Sequence, residues 1–249
     1  MIKRKRKVRP NFDGVFKRLM QLSNRAIIQF INKQFETNYP PSCTVSYPST
    51  ESRNRKGRKR LADIIIRITY NGEHDYLVEA QTKDDPGLVI RVFEYGLGLS
   101  IQRRLSAGKK GRESLRLIFP EPKIFYLEAN APEEEELVLD FGRQGTFIYR
   151  VATVKLLEHS IAELEAQGLT ILLPFYVLKL RHEVERASTS EARVCYAAQM
   201  RELVLELEAA VERGRKAHGL DASDSRIVLE HIEELLVSIY DSYKEFEEV

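Results

Sequence analysis

The chain has 249 residues, 43% hydrophobic and 31% charged, which is long enough to bury a sizeable core. No apolar run approaches the ~20 residues of a membrane helix, and the charged start "MIKRKRKVRP" lacks the apolar region of a secretory signal. The two cysteines and five scattered histidines form neither a disulfide framework nor a zinc motif. We therefore expect a cytoplasmic protein without membrane segments.

The net charge of +2 conceals two basic segments in an otherwise acidic chain. Residues 1–9 carry six cations and no acid, and residues 53–60, "RNRKGRKR", carry six more and no acid. Without these twelve cations, 27 Lys and Arg face 37 Asp and Glu, a net charge of −10. Such segregation predicts a polyanionic partner, most simply nucleic acid. A solvated tail explains residues 1–9 equally well, whereas the second segment leads directly into Asp63 and favours a binding role.

The order of predicted elements indicates an α/β or α+β sheet domain followed by helices. Apolar residues at three- and four-residue steps predict one amphipathic helix over 12–35. A short edge strand over 43–47, the basic loop and a β-hairpin follow. Asp85-Pro86 predicts the start of a helix that runs to about Leu105. "PKIFYLEA" and "GTFIYRVATV" predict strands, and "APEEEE" between them predicts an acidic loop.

Three parts follow from this order: a basic N-terminal arm over 1–11, a core over 12–154 and a helical C-terminal region over 155–249. The last part is acidic, with helices predicted at about 155–167, 170–187, 190–216 and 224–246. Helices with many charged residues beside apolar ones pack on their own domain or on a second copy. We therefore expect that this region could form a homodimer.

The hairpin "ADIIIRITYNGEHDYLVEAQTK", residues 62–83, contains carboxylates that a sheet core does not need. Glu79, Gln81 and Lys83 lie two residues apart and are expected on one face. A two-residue turn would place Asp63 opposite Ala80, on the wrong face for a shared site. A three-residue loop, with Gly72 in the left-handed region, places Asp63 opposite Glu79 instead. We predict the three-residue register.

Two carboxylates about 4 Å apart repel each other by ~4 kcal/mol at an effective dielectric constant of 20. A shared proton, a basic neighbour or a divalent cation would offset this repulsion. Oxygen ligands suit Mg²⁺ or Mn²⁺. A hard cation beside a basic loop predicts metal-assisted attack on a phosphodiester. The alternative is that the arginines of the preceding loop neutralise two strand-end carboxylates.

Several short motifs give the chain a resemblance to a known family. They are "FDGVFKRL" in the first helix, "ADIII" and "YLVEAQ" in the hairpin, "RVFEY" in the next helix, and "LLPF" further on. In this order they resemble the PD-(D/E)XK nuclease superfamily, and within it the bacterial recombination-promoting nucleases, also called PD-(D/E)XK family transposases. The resemblance implies a restriction-endonuclease-like core with a mixed central sheet flanked by helices, and a Mg²⁺-dependent endodeoxyribonuclease activity.

The resemblance also implies roles for individual residues. Asp63 and Glu79 would bind the metal together with the backbone carbonyl of Ala80, and Asp13 would contact metal-bound water. Gln81 occupies the position where the superfamily usually has lysine. Gln cannot act as a base, but it can form a hydrogen bond with the attacking water. For Asp13 the alternative is a carboxylate at a helix start, paired with Lys17.

Nucleic-acid contacts are expected from the basic loop and from the helix after the hairpin. Lys83 could supply the ammonium group that Gln81 lacks. Arg91 and Tyr95 resemble the Q-x-x-x-Y motif of RecB-like nucleases, with an Arg–Tyr stack on the helix surface as the alternative. The expected contact residues are Arg55, Lys56, Arg58, Lys59, Arg60, Lys83, Arg91 and Tyr95.

Three functions are consistent with these features of the sequence. The first is a DNA endonuclease of low sequence specificity linked to recombination or mobile elements. The second is a nuclease-like DNA-binding module that has lost cleavage, with Gln81 as the trace of that loss. The third is a structural scaffold, which predicts no binding of nucleic acid even at low salt.

Overall fold

A computed structural model describes residues 10–48, 51–53, 59–61, 64–106, 116–128, 131–217, 219–246 and 249. The chain divides into two compact units. A sheet unit comprises Cys43–Lys155, and a helical unit combines Met1–Ser42 with Leu156–Val249. Within the described ranges, no helix has the length and apolar character needed to cross a membrane.

The sheet unit is built on a six-stranded mixed sheet, so the expected mixed α/β architecture is confirmed. The strands of the unit are β1 (Thr44–Ser46), β2 (Glu51–Arg53), β3 (Lys59–Leu61), β4 (Ile64–Thr69), β5 (Glu73–Gln81), β6 (Glu121–Tyr126), β7 (Glu134–Asp140) and β8 (Thr146–Lys155). The sheet order is β1-β4-β5-β6-β8-β7, while β2 and β3 form a separate two-stranded sheet. β5, β6 and β8 run parallel, and the other neighbours pair antiparallel.

The sequence predictions are confirmed for the edge strand β1, the hairpin and strands β6 and β8. The prediction that "APEEEE" forms an acidic loop was wrong. Residues Glu134–Asp140 form β7, which pairs with β8 from Glu134↔Ala152 to Asp140↔Thr146. Exposure alternates along this strand, as expected for a strand with one face toward the core. Arg150 on β8 neutralises Glu136 at 2.8 Å, which removes the charge repulsion that favoured a loop.

One face of the sheet packs against helix α3 (Leu88–Ser106). The prediction that Asp85 starts this helix is confirmed, since its carboxylate accepts the Gly87 N–H at 2.9 Å and its carbonyl accepts the Leu88 N–H at 2.9 Å. The buried cluster between helix and sheet contains Ile65, Leu77, Leu88, Val89, Val92, Tyr95, Leu99, Ile124, Tyr126 and Val151.

The helical unit contains six α-helices within the described ranges: α1 (Phe12–Leu19), α2 (Asn24–Gln34), α4 (Ile161–Ala166), α5 (Arg181–Arg186), α6 (Ser190–Lys216) and α7 (Ala222–Tyr240). Short 3-10 helices cover Leu156–Glu158, Thr170–Leu180 and Lys244–Phe246. The prediction of a single helix over 12–35 was wrong, because two helices, α1 and α2, cover this range. Ser23 caps α2 by accepting the Ala26 N–H at 3.3 Å, and this cap interrupts the apolar periodicity.

The compact units group α1 and α2 with the C-terminal helices, which differs from the predicted core over 12–154. Phe16 packs against Phe175, with ring centroids 6.3 Å apart. Arg18 forms an ion pair with Glu234 of α7 at 2.7 Å. The apolar faces of α1 and α2 are therefore buried within the helical unit, through contacts between residues far apart in sequence.

Asp224 joins the beginnings of α2 and α7. Its carboxylate accepts hydrogen bonds from the Ser23 N–H at 2.8 Å and the Ser23 hydroxyl at 2.5 Å, and the residue is only 2% exposed. We expect Asp224→Ala to lower the free energy of unfolding by about 2–3 kcal/mol, because it leaves the partly buried N–H and hydroxyl donors of Ser23 without their acceptor. Urea unfolding would measure this loss. Glu202→Ala, at an exposed position of α6, serves as the control and should change the free energy of unfolding by less than about 0.5 kcal/mol.

Candidate functional site

The hairpin has the register that the sequence analysis predicted. Thr69 pairs with Glu73 around the three-residue loop 70–72, and Ile64 pairs with Val78 at the other end of β4. Asn71 adopts the left-handed region at φ +51°, while Gly72 has φ +138°. Gly72 therefore has the positive φ that was predicted for it, and Asn71 precedes it in the left-handed region, which Asn tolerates.

Glu79 and Gln81 lie on the face of β5 that packs against α3. They alternate with Val78 and Ala80 and share the face of Leu77, a member of the core cluster. Glu79 is a buried carboxylate, 4% exposed, whereas Gln81 is partly exposed at the strand end. Asp63 lies outside the described residues, so the predicted Asp63–Glu79 pair remains a prediction.

Ala80 lies between these two residues, with its side chain on the opposite face, and pairs with Phe125 of β6. Lys83 was expected one pleat further along the same face. However, β5 ends at Gln81, whose carbonyl accepts the Leu127 N–H at 2.7 Å. Lys83 is exposed in the bend that leads to α3. Lys83 therefore lies beside the end of β5 and does not extend the face formed by Glu79 and Gln81.

Arg91, on the first turn of α3, forms an ion pair with Asp85. Burial alone would lower the pKa of Arg91, but the hydrogen bond and charge of Asp85, with the added negative charge of Glu79, raise it. The hydrogen bond from Arg91, together with that from Gly87, lowers the pKa of Asp85. Arg91 is thus a permanent cation within the electrostatic reach of Glu79, and a third of its side chain (33%) is exposed.

Two other predicted site residues have structural contacts of their own. Tyr95 is 7% exposed and belongs to the core cluster, which leaves little of its side chain for DNA to contact. Asp13 belongs to the helical unit, where it pairs with Lys17 at 2.8 Å, as the alternative interpretation described.

The basic loop is only partly described. Arg55, Lys56 and Arg58 lie outside the described residues. Lys59 and Arg60 begin β3, whose backbone pairs with β2 through Arg53↔Lys59 and Ser52↔Arg60. The cation-rich sequence is therefore connected to a two-stranded ribbon.

One polar pair on the face of Glu79 and Gln81 was not predicted from the sequence. Tyr126 is the register partner of Gln81, and its hydroxyl donates to Glu135 of β7 at 2.7 Å. Burial raises the pKa of Tyr126, and the hydrogen bond to Glu135 and the nearby charges of Glu135, Asp84 and Asp85 raise it further. The alternation of "EEELVLD" was the signal that could have revealed this strand and its inward-facing Glu135.

Together these groups form a polar cluster at the carboxyl ends of the parallel strands β5 and β6. Ligands of open α/β sheets bind at this edge, because successive strand ends and loops converge there. Carboxylate and carbonyl oxygens of the kind that Glu79 and Ala80 provide suit Mg²⁺. Among the described residues, no group of three or more His, Cys, Asp or Glu is arranged to hold a metal ion. The fit to Mg²⁺ therefore rests on donor chemistry and on Asp63.

Comparisons of the chain with protein-family models, with curated proteins and with solved structures find no match.

Proposed function

We propose that this chain is a metal-dependent endonuclease that hydrolyses DNA phosphodiester bonds with low sequence specificity, on a PD-(D/E)XK core. Its proposed biological setting is recombination or mobile elements. The observation that supports it best is Glu79, a carboxylate 4% exposed on the α3-facing side of a hairpin whose register is the one the site needs. Carboxylates this buried are rare in proteins and are generally paired with a cation or coordinated to a metal ion.

Each residue of the site has a defined task in this proposal. Glu79, Asp63 and the Ala80 carbonyl would hold Mg²⁺, which when bound lowers the pKa of water and offsets charge on the phosphate. The Gln81 amide orients the attacking water by hydrogen bonding and takes no proton from it. Arg91 exchanges its ion pair with Asp85 for a bidentate contact to a DNA phosphate.

The basic side chains of residues 53–60 and Lys83 contact further phosphates in this proposal. Contacts of this type carry no sequence information, which is the reason for the low specificity. They release counterions from DNA, so affinity falls steeply as salt rises.

Plasmid cleavage by the wild type and by Asp63→Ala, with Mg²⁺, Mn²⁺ or EDTA, tests the proposal. We expect the wild type to nick supercoiled plasmid with either metal and not with EDTA. Asp63→Ala should lose cleavage but retain binding in a gel-shift experiment. Binding by both proteins without cleavage under any metal would contradict the nuclease function.

A nuclease-like DNA-binding module is the second candidate function. Gln81 favours it. This residue lies two positions after Glu79, and its amide carries no positive charge and cannot act as a base. The affinity of such a module for DNA would depend on salt but would be unchanged by EDTA and by Asp63→Ala.

A further inference from the structure

A groove in the helical unit lies between α6, α7 and the C-terminal segment. It encloses about 600 Å³. Its apolar wall includes Val204, Leu229, Leu236, Val237, Tyr240 and Phe246. Val237 is 55% exposed and Leu229 is 37% exposed, whereas Tyr240 and Phe246 of the same wall are buried. Neighbouring apolar side chains that stay this accessible mark an interaction site rather than a core.

The rim of this groove is acidic. Its described lining includes four carboxylates, Glu208, Glu230, Glu233 and Asp241, and a single arginine, Arg226. Arg226 lies 3.6 Å from Glu230, in an exposed pair of small energetic value. The excess negative charge repels polyanions and favours a cationic ligand that also carries apolar side chains.

The chain contains a segment with this chemistry. Residues 1–9, which lie outside the described residues, have the sequence "MIKRKRKVR", with six cations, no acid and the apolar side chains of Met1, Ile2 and Val8. The segment is joined through Pro10 to α1, which belongs to the same unit as the groove.

The tether is long enough to reach the groove. Arg18 of α1 pairs with Glu234 of α7, and Glu230, Glu233 and Val237 lie within about one turn of Glu234 on the same helix. The helix from Arg18 back to Phe12 spans about 9 Å. Nine extended residues span a further ~30 Å. Tethering at this distance gives an effective concentration in the millimolar range, so weak contacts suffice for docking.

We infer that residues 1–9 bind in the acidic groove between α6 and α7 of the same chain. The apolar side chains of the segment contact the wall, and its Lys and Arg side chains face the carboxylates of the rim. The inference does not depend on the proposed nuclease activity, because it rests on the groove, the charges and the tether alone.

Trypsin cleavage of the full-length chain tests this docking. Trypsin cuts after Lys and Arg, and mass spectrometry follows cleavage within residues 1–9. We compare the wild type with Glu230→Gln/Glu233→Gln, which neutralises two rim carboxylates. The matched control is Glu202→Gln/Glu206→Gln, which removes the same charge from exposed positions of α6 that do not line the groove.

We expect the rim variant to be cleaved within residues 1–9 about tenfold faster than the wild type and the control at low salt, because proteolysis follows the undocked population. High salt should bring the wild type to the rate of the rim variant by screening the rim charges. Equal rates in wild type and rim variant, or equal acceleration in the control, would overturn the inference. Protection that increases with protein concentration would instead assign the groove to the arm of a second copy.

Discussion

Glu79→Gln is expected to lower the rate of the proposed metal-dependent DNA cleavage on the order of 10³-fold. The substitution keeps the size of this buried side chain and removes its negative charge. A metal ion stabilises the transition state by several kcal/mol, and each 1.36 kcal/mol corresponds to tenfold in rate. Single-turnover plasmid cleavage at saturating Mg²⁺ would measure the loss.

The matched control for this experiment is Glu136→Gln. Glu136 is a half-exposed carboxylate of the same sheet and pairs with Arg150 on the surface. We expect Glu136→Gln to cleave plasmid at the wild-type rate. DNA binding by Glu79→Gln should be retained or slightly stronger, because a negative charge near the phosphates is removed. Cleavage by Glu79→Gln at the wild-type rate would show that Glu79 is not a metal ligand.

Asp75→Ala is expected to destabilise the sheet unit by about 3 kcal/mol. The Asp75 carboxylate, 4% exposed, accepts hydrogen bonds from Arg67 at 2.6 and 3.0 Å and from Arg103 at 3.2 Å. Its removal leaves two partly buried arginines whose remaining ion-pair partner among the described residues is Glu73. Breaking a buried ion pair from one side costs about 3–5 kcal/mol, and we expect the lower end because Arg67 and Arg103 are 20% and 25% exposed.

Urea unfolding of Asp75→Ala and Asp13→Ala would test this expectation. Asp13 pairs with Lys17 on the surface, so its replacement should cost at most about 0.5 kcal/mol. If the two variants lost equal stability, the cluster around Asp75 would contribute no more than an exposed pair.

The proposed site combines one element predicted in detail with several that were not. The three-residue hairpin loop and the common face of Glu79 and Gln81 followed from alternation and loop length, which are local properties of the chain. The Tyr126–Glu135 hydrogen bond depends on β7 lying beside β8, and β8 lying beside β6. The contact between Arg91 and Asp85 also required the three-dimensional path of the chain from β5 into α3.

The strands β1, β4, β5, β6 and β8 and the cap that Asp85 provides before α3 could be predicted from the sequence, because each depends on neighbouring residues. The tertiary structure decided which helices share a core. Ser23 and Asp224 are 201 positions apart, yet their hydrogen bonds join α2 to α7. Periodicity reveals which face of a helix is apolar. It does not reveal which surface covers that face, because many surfaces can pack against the same apolar face.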